Sequence, residues 1–405
     1  MITRRELLAS GLRNSALIAL APTLPGFLAR TAHAAGPEKE GRILVVLQLE
    51  GGNDGINTVV PFQDDGYAKY RKALRLPRER LIKVNSEVGL HPAMGDAGKL
   101  LESGRLAIVP GVGYSNPSRS HFRSMAIWQS ARLDEGDHTG QGWVGRGLDE
   151  GSATRDGTPA AILIGPNDPP PAIRGRRSVC TAMDRLNDYA LSHKKAEAEA
   201  KPISPPAATE DDLGQFLRRS LLDAYTTADR LEAIAGAGDG RASYPESELA
   251  RRLRLTAQLI KAGLGTRVYY LEQGGYDTHG QQLPRHAPLL AELSTSLRAF
   301  LDDLAASQLA DRVLVLAFSE FGRRVAENGS LGTDHGTAGP VLLAGPCVRP
   351  GLHGAYPSLT DLADGDLKMA VDFRRVYATV LESWLGLASE KALGGTFEPL
   401  PLLHG

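Results

Sequence analysis

The sequence predicts an α/β fold built on a largely parallel sheet, and three observations predict it. Short runs of β-branched and aliphatic residues alternate with segments of helical spacing, the pattern of strands joined by helical crossovers. Three of those runs, Ile43–Leu49, 267–271 and Val313–Phe318, are almost continuously apolar, as strands covered on both faces are. Each is followed within a few residues by a carboxylate: Glu50 and Asp54, Glu272 and Asp277, and Glu320. Ligands bind such sheets at the carboxyl ends of the strands. Acidic side chains are therefore expected along one edge.

In chain order, residues 42–49 form the first strand, and Gly51-Gly52-Asn53-Asp54-Gly55 is a turn in which glycines let backbone approach closely. Residues 94–103 have helical spacing, 106–110 is a strand, and 111–119 is a Gly-, Ser-, Asn- and Pro-rich loop. A helix over 120–132 carries Phe122, Met125, Ala126 and Trp128 along one side. Residues 160–164 are a strand and 166–171 a proline-stiffened turn. From about 181 to 263 the chain becomes rich in Ala, Glu, Lys and Arg, which reads as a helical insert in the α/β domain. Strand 266–271, a helix from about Pro288 to Ala306, strand 312–318 and strand 341–344 then resume the sheet. An amphipathic helix over 372–385 closes the fold.

The chain of 405 residues is long enough for a large core, and its 46 Lys+Arg against 47 Asp+Glu leave no electrostatic footprint for nucleic acid. A small or neutral partner is expected. At the amino terminus, Arg4-Arg5 precedes an apolar stretch over 15–29 and then Ala32-His33-Ala34, the order of a twin-arginine export signal with its cleavage site. Residues 1–35 are thus read as a signal handled by the Tat translocase, and 36–405 as the mature domain, periplasmic or secreted. Pro22 and Pro25 break the apolar stretch, so no stable membrane span is expected. Cys180 and Cys347 are too few for a disulfide framework and are expected as buried thiols.

The chemistry-bearing residues cluster near the strand ends. Asp54, between Asn53 and Gly55, is placed as a metal-bridging carboxylate, with a plain Asn-Asp-Gly turn as the alternative. Asp277 and His279, two apart in an extended loop, can both turn toward one ion, although Asp277 or Thr278 at a helix start is also the pattern of a cap. His286 is expected on a helix surface. Glu320 closes the third strand. His335 is a ligand candidate, with Asp334 either a second ligand or the carboxylate that orients an imidazole. Carboxylate with imidazole is a set that binds Zn, Mn or Fe. In Asn116-Pro117-Ser118-Arg119-Ser120-His121-Phe122 a loop becomes a helix, which sets Ser118 or Ser120 at the positive end of a helix dipole, where a serine also serves as a cap. Arg119 and Arg323 are of a type that clamps oxyanions.

These residues resemble those of the Tat-exported family catalogued as domain of unknown function 1501, grouped with the alkaline phosphatase and sulfatase superfamily. The motifs that carry the resemblance are the segment from Leu47 to Pro61, Asn116 to Phe122, Gly275-Tyr276-Asp277-Thr278-His279, Phe318 to Arg323, and Thr333 to Thr337. The resemblance implies a three-layer α/β/α sandwich, alkaline-phosphatase-like, that hydrolyses or transfers phosphate or sulfate esters. It implies one or two divalent ions (Zn, Mn, Ca or Mg) held by Asp54, Asp277, His279, Glu320, Asp334 and His335. Ser120 resembles the nucleophile, with Arg119 and His121 beside it, and the implied substrate is a small-molecule or glycan ester. The chain departs from the superfamily where Glu320-Phe321-Gly322 stands in place of Asp-His-Gly, and Ser115-Asn116-Pro117-Ser118-Arg119 can also be read as a sulfatase-like motif. Two rivals follow: a non-catalytic binder of an envelope glycan or protein, and a metal-free serine hydrolase, which lacks the Gly-x-Ser-x-Gly elbow.

Overall fold

The computed structural model describes residues 41–133, 139–151, 159–185 and 242–404, and from Arg42 onward these belong to one unit. The expected export signal lies outside the described residues, as does most of the expected insert. At the margins of that insert, Cys180–Met183 is a strand and Glu248–Lys261 a helix that packs into the core.

The main sheet is built from β1 (Ile43–Leu49), β2 (Leu106–Gly113), β3 (Ala161–Ile164), β4 (Cys180–Met183), β5 (Val268–Gln273), β6 (Val313–Phe318), β7 (Gly339–Ala344), β8 (Gly351–Leu352) and, after a separate hairpin of β9 (Leu362–Ala363) and β10 (Asp366–Leu367), β11 (Val371–Asp372). Among the described residues the main sheet has nine strands in the order β8-β2-β7-β6-β1-β5-β3-β4, with β11 also on β2. Pairing is parallel throughout except at β7, which runs antiparallel to both β2 and β6. That reversal has a functional consequence. The amino end of β7 lies at the same edge as the carboxyl ends of β1, β2, β5 and β6, so the loop carrying Asp334 and His335 arrives where the other loops leave.

Alternation along the strands sends side chains to two separate cores. Val45, Leu47 and Leu49 of β1 join Tyr269, Leu271, Val315 and Ala317 on one face, packed against helices α1 (Gly95–Glu102), α4 (Glu248–Lys261) and α5 (Gln282–Ala306). Leu44 and Val46 join Tyr270, Leu314, Leu316 and Phe318 on the other, packed against α2 (His121–Ser130), α3 (Trp143–Glu150) and α6 (Phe373–Ala378), which continues as a π-turn through Leu385. Helices on both faces of a mixed, mainly parallel sheet make the three-layer α/β/α sandwich. Because β1 is buried along its whole length, both faces had to be apolar, which is why its sequence shows no alternation.

Helix α4 is capped by Ser247, whose hydroxyl accepts from the Ala250 N–H at 3.3 Å, and it contributes Leu249, Leu253, Leu259 and Ile260 to the core that α5 also joins. Helix α5 starts at Gln282, six residues before the expected Pro288. The reason is tertiary: the carbonyls of Ser330 and Leu331 accept the N–H groups of Gln281 and Gln282 at 3.0 and 2.9 Å, satisfying donors that an isolated helix start leaves open. The extra turns carry His286 inward, so it is buried instead of lying on the surface. Both cysteines are free thiols, each half-buried.

Candidate metal centre

Each loop at the carboxyl edge is locked before it presents a side chain. Gly51 and Gly52 follow β1 at φ 115° and 73°, and a Cβ at Gly51 would collide with the backbone of Asp277, one at Gly52 with the ring of Phe321. The Arg323 guanidinium is buried among these loops. It donates to the carbonyls of Gly51, Gly52 (2.6 Å), Tyr276 (3.1 Å) and Thr333 (2.8 Å), and to Asp277 Oδ1 at 2.6 Å. One side chain thereby stitches the loops after β1, β5 and β6 together.

Three imidazoles meet at that carboxylate. From Asp277 Oδ1 the Nε2 atoms of His279, His335 and His121 lie at 3.0, 3.2 and 3.7 Å, and those of His279 and His335 are 2.8 Å apart. Ligand atoms of His121, Asp277 and His335 all fall within 4.8 Å of one another. The opposite nitrogen of every ring is anchored outward on a group that only accepts: His121 Nδ1 on Glu320 Oε1 (2.8 Å), His279 Nδ1 on Asp334 Oδ1 (3.1 Å) and His335 Nδ1 on the Arg119 carbonyl (2.7 Å). Each Nδ1 must therefore carry the hydrogen, and in the neutral rings each Nε2 turns a lone pair to the centre. In that tautomer three lone pairs and a carboxylate oxygen lie close together, and a shared cation would relieve their repulsion as the Arg323 guanidinium already does in part at Asp277 Oδ1. Outward anchoring of metal-bound histidines by carboxylates and carbonyls is the usual arrangement.

Packing and charge support the same geometry. Phe321 lies beside His335 and His121, ring centroids 4.8 and 4.9 Å away, and holds both rings in place. Burial pushes the Asp277 carboxyl up, but the Arg323 guanidinium and the His335 contact outweigh it and keep the group below its usual value. The hydrogen bond to Glu320 pushes His121 up, whereas burial pushes His335 down. Asp334 is held down by its hydrogen bond from Asn328 and by His279.

The structure divides the expected residues. Asp277, His279 and His335 come together, and His121, expected among the catalytic groups, completes the set. Glu320 is not in the ring of facing atoms: its buried carboxylate accepts from the Gly51 N–H (3.0 Å) and Ser319 Oγ (3.0 Å) and orients His121. Asp334 likewise orients an imidazole, that of His279 and not of the neighbouring His335. Asp54 is set apart altogether. It is fully buried with Arg71, also fully buried, which donates to it at 2.6 and 3.1 Å, and Gln282 takes a further position on the carboxylate. Burial raises the Asp54 carboxyl, the Arg71 charge outweighs this, and the group is held below its usual value. An ion at Asp54, as a two-ion arrangement requires, does not fit. Ser120 is exposed at the start of α2, and its side chain makes no capping bond. Arg71, Gln282, Arg324 and Asp366 escaped the sequence reading, since each acts on a partner that nothing local in the chain indicates.

Fold and cluster define an α/β/α protein with a His/Asp cluster, of a composition that can hold a metal ion, at the carboxyl edge of its sheet. The chain belongs to the family described as Protein of unknown function (DUF1501), whose model matches residues 42–395. Solved structures similar to it include the PsFucS1 sulfatase from Pseudoalteromonas sp., 12% identical, covering 92% of this chain and 72% of that one with a TM-score of 0.35. The lipoteichoic acid synthase LtaP from Listeria monocytogenes is 11% identical, with 82% and 74% covered and a TM-score of 0.34. The phosphonate monoester hydrolase SpPMH from Silicibacter pomeroyi is 11% identical, with 88% and 75% covered and a TM-score of 0.31. Likeness at these values carries no activity across. No curated protein matches the chain.

Proposed function

We propose that the protein is an exported metal-dependent hydrolase of phosphate or sulfate esters, with one divalent ion held by His121, Asp277, His279 and His335. The observation that carries the reading is the convergence of three outward-anchored imidazoles on Asp277 Oδ1. Three nitrogen donors and one oxygen favour a borderline ion such as Zn over the hard Ca or Mg. When bound, such an ion would supply Lewis-acid polarisation of an ester oxygen. Ser120 offers the nucleophile: its hydroxyl is free of capping and stands beside His121 at the start of a ten-residue helix, whose dipole favours negative charge there. Arg119 is tied to the same rim by its carbonyl, which accepts from His335 Nδ1.

Export rests on Arg4-Arg5, the apolar stretch and Ala32-His33-Ala34, which support a Tat signal over residues 1–35 and a periplasmic or secreted mature chain from 36. Among the described residues no helix is long and apolar enough to cross a membrane. A small-molecule or glycan ester is the proposed substrate class.

The test uses protein purified without an affinity tag. Elemental analysis is expected to find one transition ion per chain, and turnover of aryl phosphate or aryl sulfate esters is expected to stop with chelator and to be lost in Ser120→Ala. Turnover indifferent to chelator, or a chain that binds no ion, rejects the reading.

A further inference from the structure

Asp366 has a part that the metal centre does not explain. It lies on β10, is buried, and yet takes two guanidinia: Arg119 donates to Oδ2 through Nε at 3.0 Å and through Nη2, and Arg324 donates to Oδ1 through Nε at 3.3 Å. One carboxylate thus holds two positive groups close together, and like charges so placed repel unless a second anion balances them. The Asp334 carboxylate feels the Arg324 charge, but its hydrogen bonds go to His279 and Asn328 and not to either guanidinium, and on the same hairpin segment Asp361 pairs with Lys368. Both arginines are partly open to solvent, 46% and 37% exposed at the side chain. On each, Nη1 has no hydrogen-bond partner among the described residues, because Arg324 Nη2 goes to the Asp364 carbonyl and the remaining bonds go to Asp366.

Their backbones fix where this pair sits. The Arg119 carbonyl accepts from His335 Nδ1 at 2.7 Å, and the Arg324 N–H donates to the Asp334 carbonyl at 3.0 Å. Both arginine backbones are therefore tied to the segment that carries His335, while their guanidinia meet at Asp366. We infer that Arg119 and Arg324, set side by side by Asp366, form an oxyanion subsite beside the His/Asp cluster that takes the non-bridging oxygens of a phosphate or sulfate group. Two guanidinia with free N–H edges match a tetrahedral oxyanion, and guanidinium-to-oxyanion bonds are among the strong charge-assisted ones. Asp366 is a positioning residue. The inference rests on the hydrolase reading only for the claim that this anion is part of a substrate.

The experiment titrates the full chain calorimetrically with inorganic phosphate and, separately, inorganic sulfate at low ionic strength, with the metal content of every sample measured. Wild type is expected to bind at least one anion, and the tighter of the two names the ester. Arg119→Gln and Arg324→Gln are each expected to weaken binding by about tenfold or more with metal content unchanged. Asp366→Asn is expected to weaken it similarly, with recovery in Asp366→Glu, while Lys368→Gln on the same hairpin leaves it unchanged. Should Asp366→Asn fail to fold, the two partly exposed arginines decide. Anion binding equal to wild type in both arginine variants, or no binding of either anion by metal-loaded protein, overturns the inference and leaves the hydrolase reading standing. Absence of metal in wild type defeats the hydrolase reading, and the anion titration still decides the subsite.

Discussion

At the residue scale the centre depends on which nitrogen of each ring carries its hydrogen. Asp334 holds His279 through Nδ1, so Asp334→Asn replaces a carboxylate acceptor with a weaker amide and loosens the ring. Metal affinity is expected to fall by about 10–100-fold, read by competition with a chromophoric chelator, and unchanged affinity would remove Asp334 from its orienting role. Asp54 calls for the opposite result. Arg71→Met leaves a fully buried carboxylate without its cation, which costs about 3–5 kcal/mol, read in a urea melt, while metal content of the folded variant stays at the wild-type level. Loss of the ion in Arg71→Met at full stability would return Asp54 to the ligand set. Because the pair holds the Asp54 carboxyl below its ordinary value, its stabilisation is complete above the ordinary carboxylate range near pH 4 and is lost only as acid passes below it.

At the element scale α5 acts as the strut beneath the site. Its first turns carry Gln282 to Asp54 and Thr333, and His286 to Asn53 at 2.8 Å. Burial pushes His286 down to about 4, and burial does the same to His91, 5.9 Å away ring to ring. The sign follows directly. Between the ordinary histidine value near 6.5 and about 4 the unfolded chain binds protons that the folded one refuses, so stability is full above that window and falls as pH drops through it. For one independent ring the loss is on the order of 3 kcal/mol, and the two rings, being coupled, contribute less than twice that. Urea melts in chelator at pH 7, 5.5 and 4.5 are expected to show the decline. His286→Gln, which keeps a donor for Asn53 without a titrating ring, should make the decline shallower while His91 still contributes, and an identical slope in the variant would show that other groups carry the effect.

At the scale of the whole molecule the candidate ligands come from α2, from the loop after β5 and from the loop before β7, so one ion would tie together three segments far apart in the sequence. A ligand that binds only the folded state stabilises it by mass action, about 4 kcal/mol at a thousandfold excess over the dissociation constant. Chelation is therefore expected to lower the melting temperature, and Zn to restore it. A melting curve indifferent to both would exclude a folded-state metal site.

Much of this was readable along the chain, and the failures share a cause. Strands β1, β5 and β6 could be read because burial on both faces forces an uninterrupted apolar run, and Asp277, His279 and His335 stood out because polar residues flanked by glycine beside such a run have little packing reason to be there. Helix α5 starts before Pro288 because the carbonyls that satisfy its first N–H groups belong to residues some 50 positions away, which no local pattern indicates. Glu320, Asp334 and Asp54 all looked like ligands because a carboxylate at a strand end has the same local signature whether it faces an ion, an imidazole or a guanidinium.

What the sequence determined by itself is the layered architecture and the edge where polar loops gather, since both follow from periodicity and from strand direction. Only the tertiary structure decided the roles at that edge. The antiparallel course of β7 delivers His335 to the rim, Arg71 takes Asp54 out of it, and Asp366 draws Arg119 to Arg324. Hydrogen bonds and ion pairs are made or missed within a few tenths of an ångström between residues far apart in the chain, and local pattern does not encode distances of that kind.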